Sequence, residues 1–169
     1  PAPWIPDYYD NSIICYSFSK SLSLPGERIG YVLVPKTVED YANVYASIAG
    51  AGRMLGYVCA PALFQRVVAM CCNETSDISV YKRNRDILTE GLRSFGYHVV
   101  EPGGTFYMFP RSLESDANAF AERAKAMDLL LVPSDSFGCP GHVRVSYCVP
   151  TETVERSLPV FEKLAKSYR

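Results

Sequence analysis

The sequence predicts an α/β chain in two parts. Residues 1–76 read as a strand, a polar loop and a second strand followed by helices, and residues 77–169 as a linking helix and a small α+β unit. Three observations carry this. Two apolar runs, 12–16 and 29–34, enclose a polar loop. Apolar residues recur at helical spacing through 36–73 and again through 77–95. From Tyr97 onward short apolar stretches alternate with two amphipathic ones, the pattern of strands mixed with helices.

Composition bounds the function classes. Of 169 residues 48% are hydrophobic and 21% charged, enough apolar material for a globular core. Lys+Arg 17 against Asp+Glu 18 leaves a net charge of −1, without the basic field that nucleic acid or a membrane surface would require. No apolar run reaches the length of a membrane span. Pro1-Ala2-Pro3-Trp4 reads as neither a signal nor a transit peptide, so a cytoplasmic setting is expected. Cys15, Cys59, Cys71, Cys72, Cys139 and Cys148 form no Cys-x-x-Cys pair and sit mostly in apolar runs. They read as small buried hydrophobes of a reducing compartment, with no metal site. His98 and His142 have no partner pattern and read as structural.

The elements follow in order. Ile13-Ile14-Cys15 is a continuous apolar run, typical of a strand covered on both faces of a parallel sheet. Parallel neighbours are reached through crossovers, so a sheet-building region is expected upstream. Thr37 is placed to cap a helix with Glu39 and Asp40 in its first turn and Tyr41, Val44, Tyr45 and Ile48 on one stripe. Gly50, Gly52 and Gly56 interrupt it and are read as allowing close helix packing. Pro61 suits the first turn of a second helix through Leu63, Phe64, Val67, Val68 and Met70. A longer helix starts at Ser76 or Asp77, carries Tyr81, Leu88, Leu92 and Phe95 on one face, and is ended by Gly96. Residues 97–100 and 105–109 flank Glu101-Pro102-Gly103-Gly104 as a hairpin. A helix over 116–128 turns Phe120, Ala124 and Met127 inward, short strands follow at 129–132 and 143–149, and Thr151 is placed to cap a last helix carrying Val154, Leu158, Phe161, Leu164 and Tyr168.

The polar loop carries the chemistry. Ser17, Ser19, Ser21 and Ser23 supply hydroxyls, Pro25-Gly26 a turn, and Lys20 and Arg28 two cations. Hydroxyls and an arginine fork suit phosphate oxygens, and a lysine amine is a nucleophile for a carbonyl carbon. A single loop lysine is ordinarily a solvated charge. Here Ser17-x-x-Lys20 and Pro25-Gly26-x-Arg28-x-Gly30 fix six positions within fourteen. Ser-x-x-Lys also occurs in penicillin-binding proteins and class A β-lactamases, but Ser134-Asp135-Ser136 and Lys36-Thr37-Val38 do not match their other motifs, and Pro25-Gly26 stops the long helix that those enzymes need.

The combined pattern resembles the lysine motif of the class I and II aminotransferases. The resemblance implies that Lys20 bonds the aldehyde of pyridoxal 5′-phosphate and that Ser17, Ser19 and Arg28 bind its phosphate. It covers essentially the whole chain and corresponds to the C-terminal part of a longer enzyme, a truncated transferase fold with a remnant of the large domain over 1–76 and the small domain over 77–169. The family's glycine-rich phosphate turn, ring-stacking aromatic and pyridine-nitrogen aspartate lie upstream and match no residue here. The isolated chain is therefore expected to be inactive or nearly so.

A second anchor lies in 138–147. Arg144 sits between Val143 and Val145 in an apolar strand, so it must be exposed or paired, since an unpaired buried charge is costly. The resemblance implies that Arg144 grips the α-carboxylate of an amino acid and that Gly104 and Phe106 lie near the mouth of the site. The implied reaction transfers an amino group from a small α-amino acid such as aspartate to a 2-oxo acid, in an enzyme expected to be a homodimer. A lyase or decarboxylase on the same cofactor, and a non-catalytic truncated domain, are the alternatives.

Overall fold

The computed structural model describes residues 3–169 and forms two compact units that divide at Ser76 and Asp77. In the first unit β1 (Ile14–Ser17) runs into a single helical turn, α1 (Phe18–Ser21), and returns as β2 (Gly30–Leu33). The two strands pair antiparallel, with Ile14 opposite Leu33 and Ser17 opposite Gly30. The expectation of a strand covered on both faces by parallel neighbours is thus not met. Cys15, Tyr16, Tyr31, Val32 and Leu33 are exposed, because a two-stranded ribbon carries no layer on either side.

Helices α2 (Tyr41–Met54) and α3 (Ala62–Cys71) complete this unit. The first starts four residues after Thr37: the Val38 amide donates to the Pro35 carbonyl in a turn, and Asp40, at φ +53°, breaks the chain before Tyr41. Gly50 lies within α2 with open space where a side chain would go, so close helix packing is not its role. Gly56, at φ +86°, ends the chain reversal after it. Among the described residues of this unit only Ile29, Val34, Val38 and Val68 are buried apolar side chains, while Met54 and Met70 are 90% and 85% exposed.

The second unit holds a contiguous core. Helix α4 (Ser79–Ser94) starts where the Asp77 carboxylate accepts from the Ser79 amide at 2.9 Å, and those Ser79 hydrogen bonds hold the carboxyl below its usual range. Its inward stripe is Asn84, Leu88 and Leu92, at i, i+4 and i+8. Gly96, at φ +97°, ends it, and the Tyr97 amide returns to the Leu92 carbonyl. Helix α6 (Thr151–Lys166) packs on α4 through Val154, Phe161 and Leu164. A Cβ on Gly91 would stand 2.5 Å from Leu158 Cδ2, so this glycine admits α6 at close range. The ring of Tyr97 meets Phe161 edge-on at 5.8 Å, and its hydroxyl donates to the Phe161 carbonyl.

Three short strands form the sheet: β3 (Tyr107–Met108), β4 (Val132–Pro133) and β5 (Val143–Ser146), antiparallel with β5 in the middle. Helix α5 (Ala117–Lys125), capped by the Asp116 carboxylate on the Asn118 and Ala119 amides, buries Phe120 and Ala124. The expected 97–109 hairpin does not form. Residues 97–100 form no strand, with Tyr97 and Val99 buried and His98 and Val100 exposed, and β3 pairs with β5 instead. Of the strand expected at 129–132 only Val132 pairs, together with Pro133, the last residue of β4. Thr151 is the first helical residue, and its hydroxyl donates to Asn84 Oδ1 at 2.8 Å rather than capping.

All six cysteines are free thiols, and none is buried: Cys15, Cys59, Cys72 and Cys148 are exposed and Cys71 and Cys139 half-buried. Their apolar runs lie on uncovered surface or at the end of β5. No helix among the described residues is long and apolar enough to cross a membrane.

Candidate active site

The lysine loop is a closed turn between β1 and β2. The Phe18 amide donates to the Ile29 carbonyl at 3.1 Å, which joins the two ends of the loop. Ser17 Oγ accepts from the Ser19 amide at 3.2 Å and lies 2.9 Å from Ser19 Oγ, so the two hydroxyls form one polar edge. Lys20 follows in the same turn with an exposed side chain. Ser76 anchors the turn from behind, its amide donating to the Ser21 carbonyl at 2.9 Å and its hydroxyl to the Lys20 carbonyl at 3.4 Å. Ser21 Oγ is buried with no hydrogen-bond partner among the described residues, a costly orphan beside the lysine.

Arg28 is exposed, at φ +51°, and one of its N–H groups donates to the Pro25 carbonyl at 2.7 Å. That bond folds the Pro25-Gly26 turn back on itself. Gly30 has a steric reason: a Cβ there would stand 2.3 Å from the Tyr16 carbonyl oxygen and 3.2 Å from Ser17 Cα. Only glycine lets β2 come this close to the strand that leads into the lysine. Tyr16 stacks on Tyr31 at 5.2 Å and meets Phe18 edge-on at the same distance, which stiffens the base of the loop.

The other predicted residues lie in the second unit. Val143 and Val145 point into the core, and the residue between them, Arg144, points out. Its guanidinium carbon sits 4.6 Å above the Tyr107 ring and 4.4 Å from the Phe137 ring. Rings on its faces offset the cost of ordering the side chain and hold its plane, and the N–H groups radiate from the edge. Among the described residues Arg144 makes no salt bridge with a carboxylate, so an edge suited to a carboxylate stays available. Phe106 joins the same cluster, its ring 4.6 Å from Tyr107. Gly104 is exposed, with open space where a Cβ would go. Thr105 beside it sits at φ +67°, held by the Tyr147 hydroxyl donating to its carbonyl at 2.9 Å. Burial pushes the Tyr147 phenol up, which keeps that donor proton in place.

Ser17, Ser19, Lys20 and Arg28 are thus gathered on one loop, and Phe106 and Arg144 in one aromatic cluster. Sequence reasoning missed Tyr107 and Phe137, the two rings on Arg144. Phe137 ends a 3-10 turn that Gly138 reverses at φ +71°, so the only sequence signal was an aromatic directly before the Gly138 turn. It also missed Asn84, fully buried, whose Nδ2 donates to the Tyr147 and Val149 carbonyls at 3.0 and 2.7 Å and fixes the chain where it leaves β5.

Comparison with known proteins bears on the family and the fold. The family model described as aminotransferase class I and II matches residues 6–161. A probable aspartate/prephenate aminotransferase of Aquifex aeolicus is 31% identical over 180 residues, covering 96% of this chain and 43% of that protein. The crystal structure of an amino transferase from Eubacterium rectale is 59% identical with a TM-score of 0.91, covering 99% of this chain and 42% of that one. An aspartate aminotransferase structure from Thermotoga maritima is 25% identical with a TM-score of 0.78, over 91% of this chain and 40% of that one. The chain therefore spans about two fifths of the length of the relatives it matches.

Proposed function

We propose that this chain, which belongs to aminotransferase class I and II, takes part in pyridoxal-phosphate-dependent transfer of an amino group from a small α-amino acid to a 2-oxo acid. The lysine loop is the observation that carries this reading: two coupled hydroxyls, an orphaned buried hydroxyl, a primary amine and an arginine on one closed turn. That donor set fits a phosphorylated aldehyde. The Aquifex aeolicus relative is described as a probable aspartate/prephenate aminotransferase and the Thermotoga maritima structure as an aspartate aminotransferase, which supports an acidic amino donor. The same reading expects a homodimer, and the uncovered apolar surface of the first unit supports it.

The roles of the residues follow from their chemistry. Pyridoxal phosphate, when bound, supplies an aldehyde and an electron-withdrawing ring. Ser17 and Ser19 would donate to its phosphate oxygens, with the Arg28 N–H groups that remain beyond the one given to Pro25. Lys20 Nζ would hold the aldehyde carbon, then give way to the substrate amine and move the proton at the substrate Cα. Arg144 would take the α-carboxylate at its edge, with Tyr107 and Phe137 keeping the fork in plane so that one Cα–H orientation is selected.

The test is reductive labelling. The protein is incubated with limiting pyridoxal phosphate, reduced with borohydride and mapped by mass spectrometry. Lys20 should be labelled well ahead of Lys36, Lys82, Lys125, Lys163 and Lys166, and Arg28→Gln should weaken that preference by about tenfold, the worth of a charged hydrogen bond. Even labelling across the lysines would refute the assignment.

A further inference from the structure

The second unit carries a groove of about 820 Å³ lined by Gly96, His98, Arg111, Ser112, Glu114 and His142, among others. None of these residues belongs to the lysine loop or to the aromatic cluster of Arg144. The groove is built by backbone pairing. Arg111 bridges His142 antiparallel, and the Arg111 amide donates to the His98 carbonyl at 3.0 Å. Three neighbouring segments thus place His98, Arg111 and His142 side by side, with the arginine in the middle. Alternation sends all three to the same side, since Tyr97, Val99, Pro110 and Val143 next to them are buried in the core.

The charges around this groove do not cancel. Arg111 makes no side-chain hydrogen bond or salt bridge among the described residues, and neither does the His98 ring. Glu114 is the acid on the wall, but its carboxylate is engaged by the Tyr168 hydroxyl and by Arg123 at 3.8 Å. His142 Nδ1 lies 3.0 Å from the Pro140 carbonyl. A carbonyl only accepts, so Nδ1 carries the proton and Nε2 is the nitrogen left for a ligand. Ser112 is committed to the wall itself, its hydroxyl bonding the Glu114 and Gly141 carbonyls.

We propose that this groove is a second ligand site, which binds the phosphate group of a small organic molecule through Arg111, His98 and His142. An arginine fork matches a tetrahedral oxyanion, the His98 ring offers an N–H donor, and His142 Nε2 becomes a donor and adds charge when that ring is protonated. An arginine between them disfavours a metal cation. The groove is far larger than a phosphate, which leaves room for the organic part. The site does not rest on the amino-transfer reading and would stand if Lys20 proved inert.

Inorganic phosphate is the probe, titrated into the 169-residue chain and followed by NMR of the imidazole carbon-bound protons. The chain has 2 histidines, so both ring signals report on this groove. Both should shift saturably, while chloride at equal ionic strength leaves them in place. Arg111→Gln, at an exposed position, should weaken binding about tenfold or more, the loss of a charged hydrogen-bond pair. His142→Gln should weaken it too, with His98 still reporting. Arg28→Gln should leave the response unchanged, which separates this groove from phosphate held on the lysine loop. Equal shifts with chloride, or unchanged affinity in Arg111→Gln and His142→Gln, would overturn the proposal.

Discussion

Replacing Asn84 by alanine should destabilise the second unit out of proportion to the atoms removed. The side chain is fully buried and makes three hydrogen bonds: two from Nδ2 to the Tyr147 and Val149 carbonyls, and one to Oδ1 from the Thr151 hydroxyl. It therefore ties α4 to the end of β5 and to the first residue of α6. Each neutral hydrogen bond contributes roughly 0.5–1.5 kcal/mol net, and a buried partner left unsatisfied costs more than a bond merely exchanged with water. Three bonds with partially buried partners give a loss of about 3 kcal/mol. For a unit of roughly 60–100 residues, at about 4–8 °C per kcal/mol, the melting temperature should fall by roughly 12–24 °C. Urea unfolding followed by far-UV circular dichroism on the whole chain measures this. Asn84→Asp should be worse than alanine, because it aims a carboxylate at two carbonyl oxygens that now receive nothing. A loss below about 1 kcal/mol for alanine, or an aspartate variant as stable as the parent, would refute the reasoning.

Three more outcomes are expected. Stability of the second unit should fall as pH rises from about 10 to about 12: burial first, then the Glu114 hydrogen bond and charge, push the Tyr168 phenol up to about 12, and burial raises Tyr97 in the same direction. The folded state holds those protons more tightly than the unfolded chain, so the contribution is complete below the ordinary tyrosine range and lost above it. Urea midpoints across that range check this, and Tyr168→Phe should flatten the decline. Gly30→Ala should cost about 1–3 kcal/mol by overpacking, because its methyl meets the Tyr16 carbonyl oxygen, a backbone atom that cannot rotate away. Hydrogen exchange should then show β1 and β2 opening, with the Lys20 labelling preference lost. The chain should also self-associate through its first unit, where the β1–β2 ribbon, Tyr57, Leu63 and Met70 are uncovered. A single monomeric species in sedimentation velocity at high concentration would count against that.

Much of the lysine loop was legible because its determinants are local. The hydroxyl three residues before Lys20 caps its own turn, Pro25-Gly26 reverses the chain, and Gly30 sits where a β-carbon cannot. Helices α4 and α6 were legible for the same reason: a stripe at helical spacing reports one face whatever covers it. The cysteines were misread because residence in an apolar run does not say whether a second layer exists, and the ribbon around Cys15 has none in this chain. The 97–109 hairpin was misread because turn chemistry permits a hairpin without requiring one, and β5 was the better partner for Tyr107 and Met108.

The sequence by itself determined the family, the lysine motif and the inward faces of α4 and α6, since each depends on residues a few positions apart. Tertiary structure alone decided the setting of Arg144. Its strand could be read from Val143 and Val145, but the rings that hold its guanidinium come from Tyr107 and Phe137, one well upstream and the other on a separate turn. Tertiary structure also decided that a polar Asn84 lies at the centre of a core, and that His98, Arg111 and His142 share a groove. Periodicity records which way a side chain points along its own element. Which elements meet is set by long-range burial and strand pairing, and that choice leaves no mark at short separation.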